Sequence, residues 1–130
     1  MRALPTVMFA FFFALNAATA AELAAQKSDH GGVTVTVTPR NVAVGAKAWD
    51  FGVSMNTHSQ ELSDDLAMSA ALVDDKGREY RPIRWEGAKP GGHHRSGVLK
   101  FAPIDPLPQS LELRLQRPGE KTPRVFRWPL

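Results

Sequence analysis

The fold is decided by the stretch Trp49-Asp50-Phe51-Gly52-Val53-Ser54-Met55-Asn56, in which large apolar side chains alternate with small or polar ones. Successive side chains of a β-strand point to opposite faces, so this period of two predicts a strand with one apolar face. That face carries two aromatic rings, and burial of each large apolar side chain stabilises a domain by about 1.5–3 kcal/mol. We therefore predict that residues 47–56 form the central strand of a buried core.

The same period of two extends outward from this strand. Residues 33–38 read Val-Thr-Val-Thr-Val-Thr, a run of β-branched residues that suits a pleated sheet. Between residues 57 and 65 the alternation breaks, and Thr57 or Ser59 could cap a single helical turn. Residues 66–73 also suit a helix, but the hairpin-type turn at 74–78 that follows them favours a strand. The remaining predicted strands are residues 79–85, with Pro82 indicating an edge, 97–101, 111–115 and 124–128.

Seven predicted strands between residues 33 and 128 define the fold class. Turn signals separate them at hairpin-like intervals, and no segment shows the pattern of a long helix. The pattern predicts an all-β, antiparallel β-sandwich of immunoglobulin-like kind. A small closed barrel is the alternative.

The first twenty residues are typical of an export signal. Arg2 precedes an apolar run over residues 7–15, and Ala18-Thr19-Ala20 supplies the small-x-small pattern of a cleavage site. A bilayer-spanning helix needs roughly 20 apolar residues, and this run is shorter. We predict a signal peptide at 1–20, a flexible leader at 21–31 and one immunoglobulin-like domain at 32–130. The mature protein is then expected to be periplasmic or secreted, monomeric and without a transmembrane segment.

Composition excludes several classes of function. The chain has no cysteine, which excludes a disulfide framework, thiolate metal sites and thiol catalysis. Loss of Arg2 with the signal leaves 15 Lys and Arg against 13 Asp and Glu, a net charge of +2. The opposite charges are interspersed along the chain, so no basic block predicts a nucleic-acid partner.

Side-chain chemistry is concentrated in the stretch Pro90-Gly91-Gly92-His93-His94-Arg95. His58 also falls in a connection, and connections of a sandwich gather at its two ends. If these two loops share an end, His58, His93 and His94 could converge on a transition metal, with Asp64 or Met55 in support. Nitrogen, oxygen and thioether donors without thiolate suit copper or zinc, and we predict such a site as the leading hypothesis.

The same loop allows a second interpretation. The amides of Gly91 and Gly92 can form an anion-binding concavity, and Arg95 adds a forked donor for phosphate or carboxylate. Together with Trp85, these residues could recognise an envelope protein or an anionic group, as an interaction or accessory module. A third reading gives the loop no ligand: one histidine bonds a carbonyl and the other is exposed.

Catalysis by a nucleophile is not predicted. Ser59, His94 and Asp64 hold the atom types of a triad, but no nucleophile-elbow pattern surrounds any serine. A domain of this size also offers little cleft. We expect a binding protein and not an enzyme.

The motifs Thr57-His58-Ser59, Trp85-Glu86-Gly87 and Gly91-Gly92-His93-His94-Arg95 resemble those of a set of small exported bacterial β-sandwich proteins. The resemblance covers most of the mature chain and implies that these loops belong together, but it implies no activity. In size, export and all-β character the chain is also loosely similar to periplasmic copper carriers of the copper-resistance type, which implies copper as a ligand. It departs from those carriers in having neither a histidine at the mature N-terminus nor a methionine-rich run.

Overall fold

The structure is a computed structural model that describes residues 2–5, 8, 10 and 23–130. The predicted signal peptide, residues 1–20, lies mostly outside the described residues. Across the described residues, no helix combines the length and apolar character needed to cross a bilayer. These residues form one short helix, α1 (Leu66–Ser69), and nine strands: β1 (Gln26–His30), β2 (Val33–Pro39), β3 (Trp49–Thr57), β4 (Ala70–Asp74), β5 (Glu79–Tyr80), β6 (Arg84–Gly87), β7 (His94–Phe101), β8 (Ser110–Leu115) and β9 (Arg124–Pro129).

The strands form two antiparallel sheets, and the predicted all-β sandwich is confirmed. The five-stranded sheet has the order β1-β2-β3-β7-β6, and the four-stranded sheet has the order β5-β4-β8-β9. Without β1, these orders match the A-B-E-D and C′-C-F-G arrangements of immunoglobulin folds. The immunoglobulin-like topology follows from this strand order and not only from the number of strands.

The core lies between the two sheets, as the alternation of β3 predicts. Trp49, Phe51 and Met55 are at most 1% exposed. The ring of Phe51 meets Phe101 edge-on at a centroid distance of 5.5 Å. Phe51 also lies 5.7 Å from Trp128 of the four-stranded sheet. The edge-to-face pair lies within the five-stranded sheet, whereas the tilted contact of Phe51 with Trp128 packs the two sheets against each other by apolar burial.

The N-terminal segment differs from its prediction. Residues 26–30 fall in the predicted flexible leader, yet they form an edge strand in register with β2. Arg124 of β9 fixes this edge, because its guanidinium donates to the carbonyls of Ser28, His30 and Val33. The indole of Trp128 donates to the carbonyl of Ala24, 2.7 Å away. A polar edge strand held by a distant arginine leaves no periodic signal in its own sequence.

The region between β3 and β7 also departs from the predicted boundaries. The helical turn expected within residues 57–65 begins later, because Asp65 caps α1 by accepting from the amide of Met68. The predicted strand over residues 66–73 is therefore helical in its first turn. The strand predicted over 79–85 divides into β5 and β6 around Pro82, which cannot donate to a ladder.

Gly87 and Gly97 pair directly across β6 and β7 and receive the indole of Trp85. A Cβ atom on Gly97 would lie 2.5 Å from the Glu86 carbonyl oxygen and 2.7 Å from the Trp85 ring. Such distances leave no space for a side chain. The Trp85 indole, half-buried here, donates to the carbonyl of Ala88 at 2.9 Å. The two glycines therefore allow Trp85 to close one side of the sandwich.

We expect Gly97→Ala to lower the free energy of unfolding by about 1–3 kcal/mol, because the added methyl overpacks this contact. Urea denaturation of the chain without its predicted signal peptide measures the change. The matched control is Ser96→Ala, an exposed neighbour on the opposite face of β7, which should stay within about 0.5 kcal/mol of the parent. Equal midpoints for Gly97→Ala and the parent would contradict the close approach of β6 and β7.

Candidate functional site

Four connections meet at one end of the sandwich, which we call the histidine pole: the turn at 31–32 and the loops at 58–65, 88–93 and 116–123. The amide of Thr57 donates to the carbonyl of His93 at 3.0 Å. The amide of Leu62 donates to the carbonyl of Gly92 at 2.9 Å, and that of Gly91 donates to Leu62 at 2.8 Å. The two histidine-bearing loops therefore lie side by side.

The three predicted histidines are all exposed at this pole. His58 directly follows β3, His93 precedes β7, and His94 is the first residue of β7. The hydrogen bond from Thr57 to His93 joins backbone positions next to His58 and at His93. The structure thus brings the histidine loops to the same rim, the condition on which the metal-site hypothesis depends.

His94 is held by a short chain of polar contacts on the outer face of the five-stranded sheet. It pairs in register with Asn56, and its Nδ1 lies 2.6 Å from the Oδ1 of that residue. The Asn56 amide nitrogen donates to the hydroxyl of Ser54 at 3.2 Å, which directs the amide oxygen toward the ring. Because an amide oxygen only accepts, Nδ1 is the donor, and the neutral ring carries its lone pair on Nε2.

Met55 and Asp64 do not join the histidines. Met55 points into the core and is fully buried, as its place on the inward face of β3 requires. Asp64 is also fully buried, and its two carboxylate oxygens accept from Arg117 at 3.0 and 3.1 Å. Neither side chain can supply a metal ligand at the histidine pole, because Met55 packs in the core and the Asp64 carboxylate pairs with Arg117.

The ion pair of Asp64 belongs to a buried network that sequence reasoning missed. Arg117 also donates to Glu120 at 3.2 Å, and Arg124 donates to both oxygens of Glu120 at 2.9 and 2.8 Å. The hydrogen bonds from Arg124 lower the pKa of Glu120 below its usual value of 4.5, against a smaller opposing effect of burial. The only sequence signal is the placement of these residues around the turn at Pro118-Gly119, a pattern that is common on exposed hairpins.

The residues predicted to bind an anion or partner are used within the protein. Arg95 is 3% exposed, and its guanidinium donates to the carbonyls of Leu62, Asp64 and Ala88 at 2.7–3.2 Å. It also lies 5.9 Å from the centre of the Trp85 ring. Burial lowers the pKa of Arg95, although the nearby carboxylates oppose that change.

Arg95 therefore connects the loops at 58–65 and 88–93 to β7 by hydrogen bonds, and its guanidinium does not face solvent. The amide of Gly91 is likewise occupied by Leu62, while Gly92 is exposed.

Taking the described residues together, no group of three or more His, Asp or Glu side chains is arranged to hold one metal ion. At the histidine pole, the exposed imidazoles are separate from one another, and the charged side chains beneath them, Asp64, Arg95 and Arg117, are buried. A cavity of about 670 Å³ opens beside it, between the turn at 31–32 and the loop at 116–123. The arginines that line this cavity are engaged by Asp64, Glu120 and backbone carbonyls.

Comparison with protein-family models, with curated proteins and with solved structures finds no match to this chain.

We expect the stabilising effect of Glu120 to depend on pH. Its pKa is lower in the folded chain, so its contribution is present above about pH 4.5 and is lost as pH falls through the folded value. Glu120→Gln should therefore be less stable than the parent at pH 7, and the difference should shrink as pH falls below about 4.5. Urea denaturation across this range measures the two curves.

The control is Glu79→Gln, whose carboxylate is more than half exposed beside Arg114. This variant should stay within about 1 kcal/mol of the parent throughout, because exposed ion pairs contribute little. A gap between Glu120→Gln and the parent that is constant from pH 7 to pH 3 would contradict the assignment.

Proposed function

We propose that this protein is a non-enzymatic binding domain of the periplasm or cell exterior that takes up copper or zinc at the histidine pole. His94 is the primary ligand, with His58 or His93 as the second. The observation that carries the proposal is the chain from Ser54 through Asn56 to His94. It leaves the Nε2 lone pair available on an exposed ring.

A hydrogen bond from one ring nitrogen to an oxygen acceptor is the arrangement that orients metal-binding histidines in proteins. It fixes the tautomer, limits rotation of the ring and raises the basicity of the other nitrogen. Asn56 supplies this acceptor from the strand paired with β7. The imidazole is therefore preorganised before any ion arrives.

The rest of the pole favours an open, exchangeable site. His58 and His93 are exposed on adjoining loops. A hydrogen bond from the amide of Thr57, the residue before His58, to the carbonyl of His93 connects these loops. A two-histidine site completed by water suits uptake and release, whereas structural zinc sites are closed by four protein ligands. Imidazole nitrogen is a ligand that both copper and zinc accept.

The alternative, recognition of an envelope protein or an anion through the Gly-Gly-His-His-Arg loop, has fewer available groups. Arg95 and Gly91 already donate to loop carbonyls. Trp85 is half-buried over Gly87 and Gly97. An interaction through this loop would depend on the exposed Gly92, His93 and His94.

We expect the mature protein to bind Zn²⁺ or Cu²⁺ with a dissociation constant of about 1 μM or tighter. His94→Ala should weaken binding at least tenfold or so, since even removal of an outer partner typically costs about 10–100-fold. The control is His30→Ala, an exposed histidine of β1 outside the proposed set, which should bind as the parent does. Isothermal titration in a non-coordinating buffer measures each affinity.

Asn56→Ala tests the orienting hydrogen bond separately from the ligand. It leaves all three imidazoles in place and should weaken metal binding by about 10–100-fold. Its matched control is Ser59→Ala, an exposed loop residue of the same pole that should leave the affinity unchanged.

The proposal is wrong if binding is weaker than about 1 μM, or if His94→Ala and a His58→Ala/His93→Ala double variant both bind as the parent does.

A further inference from the structure

The outer faces of the two sheets differ in chemistry. On the four-stranded sheet, opposite charges pair with one another, as in Glu112 with Arg114 and Arg127. On the five-stranded sheet, Lys100 pairs with Asp50 and Glu86 at one end of the outer face. Between these residues and His94, this face presents small and hydroxyl-bearing side chains together with Val98. We call this surface the hydroxyl face; it consists of Thr36, Thr38, Gly52, Ser54, Ser96 and Val98.

The register of the strands arranges the hydroxyl face in rows. Thr36, Ser54 and Ser96 are partners across β2, β3 and β7, so their hydroxyls follow one another at about the 4.8 Å spacing of neighbouring strands. The small side chains leave a depression of about 290 Å³. A second depression, of about 210 Å³, shares Ser54 and Ser96 and continues toward His94.

One end of the hydroxyl face carries a guanidinium. Arg40 follows β2, and its side chain lies over Gly52, with Nη2 2.9 Å and Nε 3.0 Å from the position a Cβ atom would occupy. Within residues 23–130, its guanidinium has neither a hydrogen bond nor an ion pair. The neighbouring Asp50 carboxylate accepts from Lys100 at 3.1 Å. The five donors of Arg40 are therefore available to a ligand.

The hydroxyl face favours a negatively charged ligand, because Arg40 is the charged side chain at its open end. None of the described residues that line the two depressions carries a carboxylate. Gly52 and Asn56 are four residues apart on β3, which corresponds to about 13 Å at 3.3 Å per residue. A ligand that spans this distance would meet Arg40 at one end and Asn56 and His94 at the other.

The backbone excludes an extended peptide added as a strand. The peptide groups of β2, β3 and β7 pair within the sheet, so this face offers side chains only. Hydroxyl groups both donate and accept hydrogen bonds, as do the hydroxyls of a sugar. Arginine recognises a carboxylate through two parallel hydrogen bonds.

We propose that the hydroxyl face binds an acidic saccharide, with a uronate carboxylate on Arg40 and ring hydroxyls on Thr36, Ser54 and Ser96. This site borders the metal site at Asn56 and His94, but its main contacts are Arg40 and the hydroxyls, and it requires no ion. Binding of a carbohydrate would place the protein on an acidic polysaccharide of the cell surface or its surroundings.

Tri-galacturonate titrated into the mature protein in the presence of EDTA tests the proposal, with affinity and contacted residues read from amide chemical shifts. Arg40→Gln should weaken binding at least tenfold or so, because hydrogen bonds to a charged group are the strong ones. The matched control is Arg127→Gln, which removes the same charge from the four-stranded sheet and should bind within about twofold of the parent.

A second variant changes no ligand group. Gly52→Ala should displace the Arg40 side chain by steric contact and weaken tri-galacturonate binding, while the urea midpoint stays close to that of the parent. The neutral galactose trimer should bind at least tenfold or so more weakly than the acidic one.

Several outcomes would overturn the proposal. These are no binding at about 1 mM tri-galacturonate, equal binding by Arg40→Gln, and equal binding of the neutral trimer. Displacement by sulfate or acetate at the same concentration would indicate a simple anion site, and equal binding of hexa-glutamate would indicate an acidic peptide. Because EDTA removes metal ions, a failure to bind tri-galacturonate is a separate result from a failure to bind metal.

Discussion

The buried ion pair between Asp64 and Arg117 joins the loop that crosses from one sheet to the other to the loop between β8 and β9. Both side chains are at most 5% exposed, so each charge depends on the other for its solvation. Two charges taken out of water need good geometry and further hydrogen bonds to offset desolvation. The paired contacts at 3.0 and 3.1 Å, together with Glu120, supply them. Removal of either partner would leave the other charge buried and uncompensated, so the two loops can keep this arrangement only as a pair.

The position of the histidine loops follows from that constraint. With Asp64 fixed, its carbonyl and that of Leu62 become acceptors for Arg95. Arg95 in turn lies on β7, next to His94. The loop that carries His58 is therefore held against the strand that carries His94 by buried charge on one side and by backbone hydrogen bonds on the other.

Alternation along the chain is sufficient to predict β2, β3, β8 and β9, because in each strand the side chains of one face are buried and those of the other are mostly less buried. The same rule cannot find β1, which is polar on both faces and depends on a guanidinium almost a hundred residues away. It also places Met55 in the core, where the thioether cannot reach a ligand at the rim. For Asp64 no local rule exists, since its partner is 53 residues away.

Arg95 illustrates how a boundary error becomes an error about a site. The sequence predicts the strand from residue 97, whereas β7 begins at His94. Extending the inward series of Leu99 and Phe101 by four residues reaches Arg95, whose burial then follows from parity alone. The same extension turns His94 outward, onto the face that carries Ser96.

The adjacent residues His94 and Arg95 of β7 thus face opposite sides of the sheet and make different contacts. The inward guanidinium of Arg95 donates to three carbonyls, and its removal would take from the Asp64 carbonyl its hydrogen bond at 2.7 Å. The outward side chains, His94 on this face and Arg40 at its far end, are exposed and support no core contact. Exposed positions away from caps and cores tolerate replacement with little effect on stability. The fold therefore separates the buried arginine that holds the loops from the exposed side chains of His94 and Arg40. Replacement of these exposed side chains should leave the folded structure intact.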